Sequence, residues 1–490
     1  MAIPQPVIHD EFSYLLAADT YAHGRLTNPP HPFWQHFETF QELQQPTYAS
    51  KYQPLQGLVL AFGQKVFGEP WIGVYLSTGL LCAAICWMLQ GWIAPNWALL
   101  GGLLCVLRVG VFSYWMNSYL AGSIPGIGGA LALGAAVRIW RRRQFGHSVT
   151  WALGLSILAL SRPYDAAVLG VATAALLLWS LHSSQTPLAT VCGRVALPAL
   201  AILLLCLAGI GYNDRGVTGN ALTLPYQIHD GQYAMAPMFA FLPLRPEPIY
   251  RHAIMRKFWA EWNVGQWTEA RNSPVTLGAV KLYSFDDFFF PLWFLSIPVL
   301  LWPYGLATAE ERATVFLLVV FLLMIAPLIA AQPHYGAAFA GVFYLRYLQG
   351  LTRLWSWQAW ERPTGRVLGV MLFMVMLADG FRFTSGRDMF SAGFALRASQ
   401  FGLERRALQQ SLAKQAGRHL VLVRYKPEHD PQNEWVYNDA DIDASPVVWA
   451  REMGPQQDRP FLEYFHDRKI WLLEPDVSTE PIPYLQREQP

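Results

Sequence analysis

The chain has 490 residues, of which 53% are hydrophobic and 14% charged, whereas soluble globular proteins carry about 25% charged residues. Its formal net charge of +2 is uninformative, but the lack of a basic block argues against a nucleic-acid-binding protein. Apolar runs long enough to cross a bilayer recur along the first 380 positions. We therefore predict a mostly α, polytopic membrane protein.

The segment 8–25, IHDEFSYLLAADTYAHGR, places two carboxylates, Asp10 and Glu11, at the start of a predicted helix. In the simplest interpretation Asp10 is the helix N-cap, Glu11 lies in the first turn, and the helix ends near Gly24. This interpretation explains the acidic pair without any chemistry. A functional role for the pair depends on which other residues share its side of the membrane.

The next segment, PTYASKYQPLQGLVLAFGQKVF at 46–67, carries Lys51 ahead of a short apolar stretch. The stretch is too short for a typical membrane span and favours a helix on the membrane surface. Lys51 is then either an interfacial lysine whose ammonium group reaches water or a ligand for a substrate. We predict that residues 1–70 form a first extracytoplasmic loop with surface helices.

Residues 71–382 are predicted to form the transmembrane domain, with an extracytoplasmic loop at 213–284. The predicted spans, about ten in number, are 71–92, 95–114, 119–140, 148–161, 163–182, 195–212, 285–305, 313–331, 333–352 and 365–382. We divide residues 148–182 into two segments because Pro163 removes a backbone donor and clashes with the preceding turn.

Basic residues between the spans orient the chain, because loops rich in Lys and Arg stay in the cytoplasm. Three clusters agree on one topology: Arg138 with Arg141–Arg143, Arg194, and Arg346 with Arg353, Arg362 and Arg366. Residues 1–70, 213–284 and 383–490 then lie on the extracytoplasmic side. Since neither a signal peptide nor a span opens the sequence, we hypothesise that a first helix is encoded upstream, which an in-frame apolar stretch there would support.

The tail, residues 383–490, is predicted to fold as a small soluble α/β domain on the extracytoplasmic side. A helical stretch, FGLERRALQQSLAKQAG, ends at Gly417. Short apolar runs separated by turns follow it, namely HLVLVRY, EWVYN, PVVWA and KIWLLE.

Two further polar segments lie at the outer ends of predicted spans. LSRPYDAAVLG contains Arg162, Tyr164 and Asp165, and AQPHYGAAF contains His334 and Tyr335. Charges at membrane depth usually face a cavity or pair with each other, so an Arg162–Asp165 ion pair and a substrate role are both open. His334 is either a simple loop residue or part of a site.

The loop after the sixth predicted span adds more polar residues to the same face. These are Asp214, Arg215, His229, Asp230 and Tyr233. We interpret most of them as solvated or turn residues. Carboxylates, guanidinium groups and imidazoles from distant segments nevertheless converge on one membrane surface. A site there is suited to a lipid-anchored anionic substrate, because the planar guanidinium of Arg donates bidentately to phosphate.

This layout resembles the GT-C superfamily of membrane glycosyltransferases, in particular the branch of protein O-mannosyltransferases and aminoarabinose transferases. HDEFSYL resembles the Asp-Glu pair of that branch, and SKYQPLQG resembles its Lys/His-x-Pro-Leu element in altered form. SRPYDA and QPHYGAAFAGVFYLRYLQGLTRL resemble segments of bacterial members. The likeness spans residues 8–380. The chain departs from the family in two ways: its lysine element reads Lys-Tyr-Gln-Pro, and the family's first helix does not occur in it.

The resemblance implies a hexosyltransferase that uses a polyprenyl-phosphate-linked sugar and inverts the anomeric carbon. Asp10 would be the catalytic base, and Glu11 would orient the acceptor or help to hold a divalent metal ion. The implied substrate-binding residues are Lys51 and Arg162 at the lipid phosphate, His334 and Tyr335 at the donor, and Tyr164 with Asp165 beside them. The implied acceptor is a protein, a lipid or a glycan, and the implied location is the cytoplasmic (inner) membrane, in contact with membrane lipids and not with nucleic acid.

Two alternatives remain open at the level of the sequence. A transporter or flippase of lipid-linked substrates would show repeats and polar residues near the membrane midplane, and this chain shows neither. A catalytically inactive relative could act as a binding or assembly protein, and the altered Lys51 element keeps that alternative open. No cofactor is certain, and any metal site is expected to be sparse and oxygen-rich because no dense His/Cys spacing occurs.

Overall fold

The protein is described by a computed structural model that covers residues 3–111, 113–290, 292–300, 307–359, 361–384 and 394–484. Its N-terminal part contains helix α1 (His9–Ala22), a 3₁₀ turn (Trp34–Phe37), a two-stranded antiparallel sheet of β1 (Glu42–Leu43) and β2 (Ala49–Ser50), and helix α2 (Pro54–Phe67). Helices α1 and α2 pack closely at Gly57, where a Cβ would lie 2.6 Å from that of Ala17.

Helix α2 turns one apolar face away from the protein. Leu58, Phe62 and Val66 follow each other at intervals of one helical turn and are 47%, 51% and 57% exposed. Exposed apolar side chains at this spacing are typical of a helix that rests on a membrane. The pattern supports the predicted surface helix.

The first membrane helices follow directly. They are α3 (Trp71–Trp92), α4 (Pro95–Cys105), α5 (Ser123–Arg142), α6 (Phe145–Ala159), α7 (Pro163–Ser183), α8 (Leu188–Thr190) and α9 (Leu197–Thr218). Helix α4 continues through Val111, and α8 and α9 belong to one continuous helix, Leu188–Thr218. The predicted break at Pro163 is confirmed, because α6 ends at Ala159 and Pro163 opens α7.

Eight further helices lie between α9 and the C-terminal part, within the described residues. They are α10 (Pro225–Tyr233), α11 (Ala253–Arg256), α12 (Asn263–Asn272), α13 (Pro274–Phe289), α14 (Ile297–Leu300), α15 (Ala309–Ile325), α16 (Ala340–Ser356) and α17 (Thr364–Thr384). A 3₁₀ segment, Pro333–Phe339, precedes α16. The predicted span 285–305 includes residues 291 and 301–305, which lie outside the described residues.

Among the described residues, four helices are long and apolar enough to cross a membrane: Trp71–Trp92, Ser123–Arg142, Pro163–Ser183 and Leu188–Thr218. Two shorter apolar helices, Pro95–Val111 and Phe145–Ala159, lie beside them. The chain is thus a multi-pass helical membrane protein, and the count of ten spans stays a prediction.

Ion pairs join the basic ends of several helices. Arg141 at the end of α5 lies 3.1 Å from Glu310 at the start of α15, and Arg353 near the end of α16 pairs with Glu311. These basic ends lie together, as the topology predicts for a cytoplasmic side. Arg346 is an exception, since it lies inside α16, fully buried, where its Nε donates to the Val299 carbonyl oxygen at 3.4 Å. Its predicted place in one basic cluster with Arg353, Arg362 and Arg366 at a helix end is therefore wrong.

The C-terminal part is a small sheet with flanking helices. Its elements are α18 (Phe394–Ala413), β3 (Arg418–Val423), β4 (Val447–Arg451), α19 (Pro455–Tyr464), β5 (Arg468–Leu473) and β6 (Ile482–Pro483). The strand order is β4-β3-β5-β6, with β3 parallel to β4 and β5, and β6 antiparallel to β5. A small α/β tail is therefore confirmed.

One predicted strand of the tail is wrong. The run EWVYN at 434–438 is irregular, because side chains take up its backbone groups. The Arg405 guanidinium donates to the carbonyl oxygens of Trp435 (3.1 Å) and Tyr437 (2.7 Å), and the Glu434 carboxylate accepts the Val436 N–H at 2.8 Å. These bonds replace the pairing that a strand would need.

The tail packs directly on the N-terminal part. Phe12 of α1 stacks on Tyr437 with ring centroids 4.1 Å apart, and Leu16 lies in one apolar core with residues of β3 and β4. The Tyr48 hydroxyl donates to the Asn438 carbonyl oxygen at 3.0 Å. The first 50 residues and the tail therefore share their cores, which the sequence did not indicate.

Candidate active site

Helix α1 begins two residues earlier than the N-cap interpretation of Asp10 requires. Ile8 is the extended N-cap, so Asp10 is the second helical residue and that interpretation is wrong. Glu11 caps the helix instead. Its Oε2 accepts the N–H groups of Val7 at 2.8 Å and Ile8 at 3.2 Å, as glutamate at the third helical position commonly does.

Glu11 also ties α1 to the loop that precedes α5. Its Oε1 accepts the Tyr119 N–H at 2.9 Å, and the side chain is fully buried. Burial raises the pKa of Glu11 to about 7, against the effect of these three backbone N–H groups. With both oxygens engaged by the backbone, Glu11 has a structural function in this arrangement.

We expect Glu11→Gln to destabilise the fold. The amide NH₂ would face backbone N–H donors, and leaving such a buried donor unsatisfied costs about 1–3 kcal/mol. Thermal unfolding of the purified protein measures the effect as a lowered Tm. Gln409→Glu, a change between the same two residue types at a partly exposed position of α18, serves as the control; an equal Tm for Glu11→Gln and wild type would contradict the structural function.

Asp10 takes no part in these three hydrogen bonds and remains half-buried. The Tyr52 hydroxyl donates to its carboxylate, and the cations Lys51 and Arg162 lie near enough to interact with it. Burial nevertheless outweighs these three groups and raises the pKa of Asp10 above its ordinary value of 3.8. A half-buried carboxylate with a raised pKa is better suited to accept a proton than a solvated one.

Lys51 lies in an aromatic enclosure. Its Nζ is 4.6 Å from the ring centroid of Tyr226, 5.4 Å from that of Tyr52 and 5.7 Å from that of Trp259. The side chain is 5% exposed, so the interpretation as a lysine that reaches water is wrong. Burial lowers the pKa of Lys51, although the carboxylates of Asp230 and Asp10 oppose this effect.

The carboxylate opposite Lys51 comes from α10. Asp230 Oδ1 lies 4.0 Å from Lys51 Nζ, and His229 and Tyr233 are buried beside it. Burial would raise the pKa of Asp230, but the His229 hydrogen bond and Lys51 hold it below its ordinary value. Burial lowers the pKa of His229 to about 4, so its ring is neutral near pH 7.

The prediction that the residues of this loop are mostly solvated is therefore wrong for His229, Asp230 and Tyr233, and also for buried Asp214. A signal for their burial exists in the sequence. Pro225 opens α10, and positions 226, 229, 230 and 233 then fall on one helix face. Tyr226 and Asp230, which face Lys51, belong to that set.

Arg162 reaches the same region from the break between α6 and α7. Its Nε donates to Asp165 Oδ2 at 3.0 Å, and its guanidinium lies 4.4 Å from the ring centroid of Tyr335. A hydrogen bond from the Leu55 N–H to the Leu160 carbonyl oxygen, 3.0 Å long, holds this break against the start of α2. The predicted Arg162–Asp165 ion pair exists, and it leaves the two terminal nitrogens of Arg162 without a protein acceptor among the described residues.

Two predicted site residues are anchored elsewhere by their hydrogen bonds. The Tyr164 hydroxyl donates to the Met324 carbonyl oxygen of α15 at 2.9 Å. His334 is buried, its Nδ1 lies 2.8 Å from the Tyr114 hydroxyl oxygen, and its own N–H donates to that oxygen at 2.9 Å. Both residues fix the walls of the site, while Tyr335 next to His334 contacts Arg162.

Comparisons with known proteins identify the fold. Neither a protein-family model nor a curated protein sequence matches the chain. Among solved structures, ArnT from Cupriavidus metallidurans bound to undecaprenyl phosphate is similar to it with a TM-score of 0.55 and 11% identity, over 96% of this chain and 90% of that chain. The chain has the GT-C fold.

A second neighbour with the GT-C fold is the oligosaccharyltransferase from Archaeoglobus fulgidus in complex with Zn and sulfate. It has a TM-score of 0.52 and 10% identity, and the match covers 96% of this chain. The match covers 64% of the oligosaccharyltransferase, so that enzyme is the longer of the two. At these identities the similarity establishes the fold and leaves the chemistry to the residues of this chain.

The residues of this GT-C fold do not favour a metal site near Asp10. Within the ranges that the structure covers, no group of three or more His, Cys, Asp or Glu side chains is arranged to hold a metal ion. The charged groups that act on the Asp10 carboxylate are the cations Lys51 and Arg162, and both oxygens of its neighbour Glu11 are engaged by backbone N–H groups. The donors at this position suit an anionic ligand better than a cation, and we derive no step through a metal.

Proposed function

We propose that this protein transfers a sugar from a polyprenyl-phosphate donor to an acceptor hydroxyl, with Asp10 as the catalytic base. The observation that carries the proposal is the half-buried Asp10 carboxylate beside Lys51 and Arg162, three groups that come from three separate segments of a GT-C fold. A proton acceptor and two cations at one place are what attack on a phosphate-linked sugar needs. The ArnT neighbour, bound to undecaprenyl phosphate, supports the class of donor.

In the proposed step the acceptor hydroxyl gives its proton to Asp10 and its oxygen forms a bond to the anomeric carbon of the donor. The bond between that carbon and the phosphate oxygen breaks, and the electron pair leaves with the polyprenyl phosphate. Attack opposite to the leaving group inverts the anomeric configuration. Asp10 contributes most in the transition state, when the hydroxyl becomes acidic.

The leaving phosphate gains negative charge, which Arg162 and Lys51 offset. The terminal nitrogens of Arg162 form a planar fork that matches two phosphate oxygens. The Nε–Asp165 hydrogen bond and the Tyr335 ring hold that fork in place. Lys51 acts as a point charge, held between Asp10 and Asp230 by its aromatic enclosure.

We place the site on the extracytoplasmic face of the cytoplasmic membrane, in a domain of about ten spans. The basic helix ends lie together at the Arg141–Glu310 and Arg353–Glu311 pairs, and Arg162 stands at the start of α7 rather than at such an end. By the positive-inside rule, the site then lies on the outer face. The acceptor is an extracytoplasmic protein, lipid or glycan.

Transfer of a labelled sugar tests the proposal. Membranes that contain the wild-type protein are given a panel of undecaprenyl-phosphate hexoses and pentoses with cell-envelope acceptors, and labelled product is counted. Loss of lipid-phosphate sugar with gain of labelled product, in wild type and not in Asp10→Asn, is the expected result. Movement of the donor across vesicles without transfer would favour a flippase, and no activity with any donor would favour a binding or assembly protein.

The pH dependence of kcat/KM provides a separate prediction. Asp10 acts as a base only when ionised, so activity falls as the pH drops through its pKa in the folded protein. Because burial raises that pKa, the acid limb should lie above the ordinary aspartate value of 3.8. Lys51 lowers the pKa of Asp10, so Lys51→Met should move the limb to still higher pH. A limb at or below pH 3.8 in wild type, or an unmoved limb in Lys51→Met, would contradict the assignment.

A further inference from the structure

The loop after α9 contributes two aromatic rings to the enclosure around Lys51. Tyr226 comes from α10, and Trp259 comes from a π-helical turn, Lys257–Trp262, between α11 and α12. Turns of this kind are rare and often occur at functional sites. Here the turn directs two neighbouring side chains, Phe258 and Trp259, into the protein, where they are 3% and 4% exposed. The surroundings of Lys51 therefore depend on how this loop is held.

The C-terminal part holds the π-helical turn at its first residue. Lys257 Nζ donates to the carbonyl oxygens of Pro427 at 3.1 Å and His429 at 2.8 Å, both in the segment that follows β3. Tyr425, from the same segment, packs against the apolar cluster that contains Trp259. One turn therefore connects the enclosure, through Trp259, with the C-terminal part, through Lys257.

A second connection runs from the end of β4 to α10. Arg451 Nε donates to the Glu38 carbonyl oxygen at 2.6 Å, and the Glu38 carboxylate accepts the Tyr233 hydroxyl at 3.0 Å. Tyr233 lies on the face of α10 that also carries Tyr226 and Asp230. The two groups of α10 that face Lys51 are therefore connected to the C-terminal part through one residue, Glu38, which is 2% exposed.

Rigid surroundings matter for Lys51 because its flexible side chain must present one charge at a fixed point. Lysine is among the residues that lose the most rotamer freedom when they are buried. Walls that are held in place before a ligand arrives remove that entropic cost from ligand binding. Contacts that fix Tyr226, Asp230 and Trp259 thus strengthen the interaction of Lys51 with an anion.

We propose that the C-terminal part is a positioning element for Lys51, and that it holds one wall of the enclosure through Lys257 and the other through Glu38. Both are positioning residues, since they act through Trp259 and Tyr233 and do not touch a substrate. The consequence for the lipid-phosphate donor rests on the proposed function, whereas the ordering of Lys51 does not.

Amine labelling of the purified full-length protein tests the proposal. Acetic anhydride at a limiting dose modifies a buried lysine only when the structure around it opens, so the labelling rate of Lys51, measured by mass spectrometry, reports opening of the enclosure. Lys257→Met removes the hydrogen bonds to the C-terminal part. The rate at Lys51 should then rise about fivefold, as expected for the loss of one partly buried hydrogen bond. Lys257→Arg, which keeps hydrogen-bond donors, should retain the wild-type rate.

Two other lysines separate local opening from a loss of overall stability. Lys281 is 4% exposed in α13, and its Nζ donates to the Ile325 carbonyl oxygen at 3.2 Å, so its labelling should not change in any variant. Lys414→Met, which replaces an exposed lysine just after α18, is the matched control and should leave the rate at Lys51 unchanged. An unchanged rate at Lys51 in Lys257→Met, or an equal increase at Lys51 and Lys281, would overturn the proposal.

Tyr233→Phe tests the second connection and keeps the buried ring. It removes the hydroxyl that donates to Glu38, so labelling of Lys51 should rise again while that of Lys281 does not. An unchanged rate at Lys51 would overturn this connection.

Sugar transfer shows whether the ordering of Lys51 serves the donor. Lys257→Met should lower kcat/KM for the lipid-phosphate donor about fivefold, in proportion to the opening of the enclosure. Faster labelling of Lys51 with an unchanged kcat/KM would overturn the link to the donor. Faster labelling in a protein that transfers sugar from no donor would remove the proposed function and leave the positioning of Lys51 intact.

Discussion

Asp10→Asn is expected to reduce sugar transfer by about 10²- to 10⁴-fold, the range that a positioned general base contributes. Asparagine keeps the shape of the side chain and can still accept the Tyr52 hydrogen bond, but it cannot take a proton. The turnover number should therefore fall, while KM for the polyprenyl-phosphate donor changes little. Steady-state transfer assays with a labelled donor, in detergent or in membranes, measure both quantities.

The same substitution should raise the stability of the protein near neutral pH. The pKa of Asp10 is raised in the folded state, so the ionised carboxylate opposes folding, and this effect grows as the pH rises above 3.8. Removing the charge removes that effect, and Lys51 keeps its contact with Asp230. A higher Tm together with lost activity is the signature of a functional residue, and a structural residue would show a lower Tm.

Asp467→Asn is the matched control for both measurements. Asp467 is an exposed carboxylate of the C-terminal part, paired with Arg418 at 3.3 Å. The same chemical change there should leave transfer and Tm at their wild-type values. If Asp10→Asn transfers sugar as well as Asp467→Asn does, Asp10 is not the base.

The residues brought around Asp10 show how far the sequence could predict this site. The positive-inside rule predicts that Asp10, Lys51 and Arg162 lie on one side of the membrane, and the short motifs that contain them indicate that they form one site. Their contacts follow from long-range packing. The Leu55–Leu160 hydrogen bond, for example, joins the start of α2 to the break after α6, and no local pattern encodes it.

Glu11 and the tail show what local patterns leave out. An acidic pair at a helix start could not reveal which member engages the backbone, because that depends on the residue at which the helix begins and, for one of the three hydrogen bonds, on the Tyr119 N–H 108 positions away. The tail was predictable as an α/β unit from its apolar runs. Its docking on α1, through contacts such as His9–Tyr437 across 428 positions, was not, since each surface alone resembles an ordinary apolar helix or sheet face.

Arg162→Lys is expected to raise KM for the lipid-phosphate donor by about 10- to 100-fold, because hydrogen bonds to charged groups contribute about 1.5–3 kcal/mol. Lysine keeps the positive charge but has a single ammonium group, which Asp165 would occupy. The planar fork toward phosphate and the stacking on Tyr335 would both be lost. The turnover number should fall less than the affinity, since Lys51 remains at the leaving group.

Arg141→Lys provides the comparison, because Arg141 lies in the basic cluster at the other end of the helices, paired with Glu310. We expect its KM to match that of wild type, measured in the same assay over a range of donor concentrations. An Arg162→Lys enzyme with unchanged KM would assign Arg162 to the structural ion pair with Asp165 alone. A rise in KM that Arg141→Lys does not share would assign it to the phosphate, since the two changes remove the same fork from opposite ends of the bundle.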